Sequence, residues 1–191
     1  MEAFMLRTML AAIILLGFVH AVAADSIDIG PEVGTPIPQS IALYNPAGTE
    51  QKFADLVGAK GAVLVFVRSA DWCPYCIQQL RDIQGIDAQL TERGYNVVSI
   101  SYDAPATLAG FAKKFEITYR LMSDRNSATI DAFGIRDPQY KEGSRAYGVP
   151  KPAIFIVDRQ GIVRAKLAEE GYKTRPPSQA IIAAVDGLAQ P

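Results

Sequence analysis

Apolar positions follow three patterns along this chain. Residues 62–67 (AVLVFV) and 97–102 (VVSISY) are near-continuous apolar, β-branched runs, the mark of strands buried on both faces. Residues 74 to about 90 place Ile77, Leu80, Ile83 and Leu90 near helical spacing, with a bend expected at Gly85 and a glycine stop at Gly94. A helix opens at Pro105 with Leu108, Phe111 and Phe115 on one face, and others are predicted over 128–133 and 178–188. Residues 41–43 and 121–122 predict short strands. Residues 153–157 and 162–167 form a hairpin around Asp158-Arg159-Gln160-Gly161. Strand–helix alternation closed by a hairpin and a helix predicts an α/β fold, a mixed central β-sheet flanked by helices on both faces.

The N-terminus has a different pattern. Residues 9–19 (MLAAIILLGFV) are all apolar, a length that suits the core of an export signal and falls short of the about 20 residues of a membrane span. Ala21-Val22-Ala23-Ala24 supplies small residues at cleavage spacing, so a cut is expected after Ala23 or Ala24. The alternative is an uncleaved anchor, since residues 4–24 carry only Arg7 and His20 as polar breaks. The predicted organisation is a signal peptide or anchor over 1–24, an extended lead-in over 25–39 and one domain over 40–190. Export places the domain in a periplasmic or other extracytoplasmic compartment, where a disulfide persists.

Composition narrows the chemistry. Among 191 residues, Lys plus Arg is 19 and Asp plus Glu is 20, so no basic excess points to nucleic acid. The single histidine, His20, lies in the segment to be removed, which excludes Ser-His-Asp, Cys-His and His-ligated metal or haem chemistry from the mature domain. The two cysteines, Cys73 and Cys76, remain as the carriers of any chemistry.

They lie in Trp72-Cys73-Pro74-Tyr75-Cys76, between a buried strand and a helix. Cys73 is expected near the N-cap and Pro74 at the first helical position, where its missing N–H costs nothing. The free backbone N–H groups and positive helix end then lower a thiol pKa of about 8.5 toward neutral or below. Cys76, one turn on, is within disulfide reach. Cys73 is thus the expected exposed nucleophile and Cys76 the buried resolving thiol. A structural staple closing so short a loop would gain little. A metal site needs more ligands than two cysteines, and haem attachment fails because Ile77 follows Cys76.

Residues 63–76 with the following helix, together with 147–158 (YGVPKPAIFIVD), resemble the thioredoxin-fold superfamily, and most closely its redoxin branch. That branch includes AhpC/TSA-type peroxiredoxin-like proteins and exported thiol–disulfide oxidoreductases. The resemblance spans roughly 41–188 and implies a thioredoxin-like fold. It implies a cis Pro152 facing the disulfide, which would leave the Lys151 backbone free to pair with a substrate strand, with Pro150 as the rival proline. The Lys151 side chain would add positive potential or lie in solvent. The Cys-Pro-Tyr-Cys tetrad is similar to that of glutaredoxins, which implies a potential of about −200 to −230 mV. Trp72 would shield the motif and offer a docking surface.

Two departures stand out. Peroxiredoxins carry Pro-x-x-x-Thr-x-x-Cys, whose threonine and a distant arginine hold the peroxide. Counting back from Cys73 gives Phe66 and Ala70; counting back from Cys76 gives Ser69 and Cys73. Thioredoxins carry a buried carboxylate on the strand before the motif, where Val67 stands here. Asp71 and Asp103 are candidate proton acceptors for Cys76, read here as solvated loop acids. Tyr172, Arg175 and Pro176 resemble a redoxin-branch tail without an assigned role.

The leading expectation is an exported thiol–disulfide oxidoreductase working through Cys73 and Cys76. Its partners are protein or small-molecule disulfides and dithiols, with a membrane or periplasmic electron donor. It needs no cofactor beyond the redox-active disulfide and no metal. The alternatives are a peroxiredoxin-like thiol peroxidase and a redox-gated binding module that never turns over.

Overall fold

The computed structural model describes residues 28–38 and 41–188. Residues 1–24, with the predicted cleavage site and His20, lie outside the described residues. No helix among the described residues is long and apolar enough to cross a membrane.

The strands are β1 (Leu43–Tyr44), β2 (Glu50–Gln51), β3 (Gly61–Phe66), β4 (Tyr95–Ser101), β5 (Arg120–Ser123), β6 (Ala153–Asp158) and β7 (Val163–Leu167). The helices are α1 (Phe53–Leu56), α2 (Pro74–Gln84), α3 (Asp87–Glu92), α4 (Pro105–Phe115), α5 (Ala128–Ala132) and α6 (Ser178–Gly187). The strands form one sheet in the order β2-β1-β5-β4-β3-β6-β7. β3, β4 and β5 run parallel, whereas β6 lies antiparallel to β3 and β7 antiparallel to β6. This is a mixed sheet of thioredoxin-like form, as expected.

Both faces are covered, which is why β3 is apolar throughout. Val63 and Val65 face a core built with Leu80 and Ile83 of α2, Leu90 of α3, Phe111 of α4 and Ile181 of α6. Leu64 and Phe66 face the opposite core, with Leu56 of α1, Ile130 of α5, Phe133 and Phe155. Gly61 is required where β3 meets β6, because a Cβ there would stand 1.9 Å from the Val157 carbonyl oxygen.

The predicted helix from Pro74 and the lead-in need adjustment, whereas the glycine stop at Gly94 is found as expected. The long helix predicted from Pro74 stops at Gln84, and Gly85 takes the C-cap with its N–H on the Asp82 and Ile83 carbonyls; α3 is a separate helix. The chain reverses at Gly94, whose φ of 89° suits glycine. Over residues 28–38 the lead-in docks on the β6–β7 hairpin: Gly34 N–H donates to Val163 O at 2.8 Å, Ile37 N–H to Gly161 O at 2.8 Å, and Ile37 is buried.

Candidate active site

β3 and β4 end side by side, and the site stands beyond their carboxyl ends, the usual place for chemistry in parallel sheets. From β3 the chain runs through Val67 and Arg68 into a loop that delivers Cys73. The end of β4 braces that loop. Asp103 accepts hydrogen bonds from Ala70 N–H at 2.7 Å, Ser69 Oγ at 2.8 Å and Ser101 Oγ at 2.8 Å. Ser69 Oγ in turn accepts from Asp71 N–H and Trp72 N–H. Asp103 is therefore buried, not solvated, and its bonds are spent on the loop. Burial pushes its carboxyl above the usual range, against the pull of those hydrogen bonds. Asp71 is exposed and pairs with Arg145 at 2.7 Å.

Cys73 is the N-cap of α2 and Pro74 opens the helix, as predicted. Cys76 N–H donates to both Cys73 O at 3.0 Å and Cys73 Sγ at 3.3 Å, so a donor of the helix N-terminus points at the sulfur. Cys73 and Cys76 are joined in a disulfide with Cα atoms 5.2 Å apart. Cys73 is as enclosed as its partner, at 2 % exposure against 0 %. The expectation of an exposed Cys73 is corrected: with the disulfide closed, its side chain packs into the core beside Val67 and Ala70.

Trp72 is pinned in place. Its Nε1 donates to Tyr102 Oη at 2.9 Å, and the Tyr102 hydroxyl donates to Arg145 O at 2.7 Å. Tyr75 stays exposed and meets the Tyr172 ring edge to face.

Two residues absent from the motif complete the site. Arg175 donates from Nη2 to Cys76 Sγ at 3.4 Å, from Nε to Gln79 Oε1 at 2.9 Å, and from Nη1 to the Tyr172 and Thr174 carbonyls. Burial and the nearby Arg68 charge lower its pKa to about 10, so it stays cationic at neutral pH. Arg68, 3 % exposed, has its guanidinium carbon 4.3 Å from the Tyr172 ring centroid, 4.9 Å from Tyr140 and 5.2 Å from Trp72, and its Nη2 donates to Tyr140 Oη. Among the described residues, neither guanidinium has a carboxylate within ion-pair distance. By contrast Arg93, Arg136, Arg145 and Arg164 each hold an aspartate. Arg175 thus takes the place next to Cys76 where a proton-accepting acid was sought. Arg68 could have been found from sequence only as a charge oddly attached to a buried strand.

The Pro152 expectation is also corrected: the described residues contain no cis peptide bond. Asp137 N–H donates to Val149 O at 2.9 Å and Lys151 N–H to Ile135 O at 2.7 Å, with Arg136 and Pro150 paired as an antiparallel bridge. This ladder carries the chain into β6 through an extended trans path. It also consumes the Lys151 N–H that a substrate strand would need. Lys151 and Pro152 line a cleft of about 350 Å³ with Gln139, Glu169 and Tyr172, and neither cysteine lines it. Among the described residues, no cluster of three or more His, Cys, Asp or Glu side chains could hold a metal ion.

The AhpC/TSA family model matches residues 33–166. A putative peroxiredoxin of Coxiella burnetii is 25 % identical over 134 residues, covering 70 % of this chain and 86 % of its own. The thiol–disulfide oxidoreductase ResA of Geobacillus thermodenitrificans is 21 % identical over 166 residues, covering 85 % of this chain and 86 % of its own. Among solved structures, peroxidoxin BcpB of Mycobacterium tuberculosis superposes with a TM-score of 0.68 at 21 % identity, over 83 % of this chain and 96 % of that one.

Proposed function

The chain belongs to the AhpC/TSA family, and from that premise we propose that it is a thiol peroxidase whose cycle runs through Cys73 and Cys76. This reverses the order of expectations from sequence, because the peroxiredoxin-like relatives support the peroxidase alternative better than the exchange reading. The observation that carries it is the Arg175 guanidinium on Cys76 Sγ, with no carboxylate in ion-pair distance of that guanidinium among the described residues. It supplies a cation beside the sulfurs although the threonine motif is missing.

In the reduced protein, the Cys73 thiolate attacks one peroxide oxygen and the O–O bond breaks. The leaving oxygen takes a proton and departs as alcohol or water, and Cys73 becomes a sulfenic acid. Cys76, held as a thiolate by Arg175, attacks the Cys73 sulfur. The S–O bond breaks, water leaves, and the disulfide closes. Two external thiol groups then return two electrons and leave as a disulfide.

A second reading, thiol–disulfide exchange, is supported by the Cys-Pro-Tyr-Cys pair at a helix N-cap and by the similarity to ResA. Stopped-flow fluorescence separates the two, because Trp72 is the only tryptophan and adjoins Cys73. Reduced protein mixed with hydrogen peroxide should respond far faster than a small-molecule thiol, and Cys73→Ser should abolish the response. A response no faster than that thiol, with rapid change on adding a protein disulfide, overturns the peroxidase reading and favours exchange. Export is proposed on residues 1–24 alone; fractionation of cells expressing the full chain, with N-terminal sequencing, tests it.

A further inference from the structure

The oxidised site holds more positive charge than its own groups neutralise. Arg68 is buried over three aromatic rings, and among the described residues its Nε is buried without a partner and no acid meets it or Arg175. A buried cation without a counter-charge is costly, so an anion is expected to join it at some stage of the cycle. In the reduced protein a Cys76 thiolate faces Arg175. In the disulfide form that anion is gone and both cations stand uncompensated. The field at the site is therefore strongest when the disulfide awaits reduction and weakens once reduction is complete.

A cleft opens on this side of α2. It is about 210 Å³ and is lined by Tyr75, Gln79, Lys173, Arg175 and Pro176, so two cations border it; neither cysteine nor Arg68 lines it, and Arg175 joins it to the pair through its hydrogen bond to Cys76 Sγ. Asp82 also borders it and accepts a hydrogen bond from Gln78 Nε2 at 2.7 Å.

We propose that this cleft takes the reductant, and that the reductant is a small carboxylate-bearing thiol whose carboxylate seats against Arg175 and Lys173 under the field of Arg68. This rests on the thiol-peroxidase reading above, in which the disulfide must be reduced after every turnover. One thiolate of the reductant attacks Cys73 Sγ; the Cys73–Cys76 bond breaks and Cys76 leaves as a thiolate against Arg175. A second reductant thiol attacks the mixed disulfide, releasing Cys73 as a thiolate and closing the reductant's own disulfide. Two electrons pass to the protein pair. The new Cys76 thiolate then compensates Arg175 and lowers the attraction for the oxidised product, which departs.

The test uses two dithiols that differ only in charge, dihydrolipoate and its neutral amide dihydrolipoamide. Each is mixed with the oxidised full-chain protein, and Trp72 fluorescence follows reduction. Dihydrolipoate should react roughly tenfold faster or more at low salt, in the range of electrostatic steering. The ratio should fall toward one as salt rises from about 0.01 to 1 M. In Arg68→Gln the ratio should fall several-fold. A ratio near one in the wild type at low salt overturns the proposal, and so does a ratio that does not respond to salt. The salt series needs no variant, so it decides the matter even if Arg68→Gln fails to fold. Peroxide reactivity is measured separately on reduced protein. Slow peroxide reaction with a retained dithiol ratio removes the peroxidase reading and leaves the anion site standing.

Discussion

Replacing Arg175 with methionine keeps much of the side-chain volume and removes the charge that faces Cys76. At 3.4 Å two unit charges interact by roughly 5 kcal/mol at an effective dielectric near 20, and by roughly 1 kcal/mol in water. Arg175 is only half-buried, so solvent screens the pair and the net value falls between those limits. A value of about 1.4 to 2.8 kcal/mol is one to two pKa units on the Cys76 thiol. The sign follows from which form carries the charge. Arg175 stabilises the thiolate, which exists only in the reduced protein, so it depresses the Cys76 pKa and favours reduction. Arg175→Met should therefore raise that pKa by about one to two units. It should also make the disulfide about 30 to 60 mV harder to reduce, at about 30 mV for each tenfold. The potential difference is absent below the depressed wild-type pKa, where both proteins carry the neutral thiol, grows as pH rises above it, and is full only above the raised pKa of the variant. Equilibration in thiol–disulfide buffers read by Trp72 fluorescence gives the potential, and ultraviolet thiolate absorbance across pH gives the pKa. A variant whose midpoint potential and thiolate titration match wild type would refute the role given to Arg175.

Other substitutions test the remaining pieces. Cys76→Ser should stop the cycle after one turnover and leave Cys73 as a sulfenic acid that a dimedone-type reagent captures, whereas Cys73→Ser should capture none. Asp103→Ala leaves Ala70 N–H, Ser69 Oγ and Ser101 Oγ without their acceptor and should cost about 2 to 4 kcal/mol in urea unfolding. Because burial raises the Asp103 pKa, the folded state binds a proton more readily than the unfolded one. Its contribution is then present at or below the ordinary 3.8 and declines as pH rises through the raised value, a slope that Asp103→Ala should remove. Gly61→Ala would drive a Cβ into the Val157 carbonyl between β3 and β6. It should cost about 3 kcal/mol or more, and a variant as stable as wild type would show that the strands separate freely there.

Local signals in the chain were sufficient for the sheet, the helices and the pair. The apolar run before Phe66, the Cys73-Pro74 start of α2 and the one-turn spacing to Cys76 each act within a few residues, and the observed elements follow them. Short elements escaped that reading: β2 and α1 have too few apolar positions to mark a period. Gly85 was legible as a bend and proved to be a stop. Burial of loop acids was not legible, because beyond its neighbour Ser101 the groups that enclose Asp103 include Ser69 and Ala70, more than thirty residues away.

The cysteine pair and the helix end that presents it were readable from the chain alone, since both depend on bonds between adjacent turns. The electrostatic setting of the pair came from folding. Arg175 reaches Cys76 across a separation of 99 residues, and Arg68 reaches Tyr140 across 72. No spacing rule links such positions. They meet because β3 and the segment after β7 are brought to one end of the sheet, and a charge takes its meaning from what is folded against it.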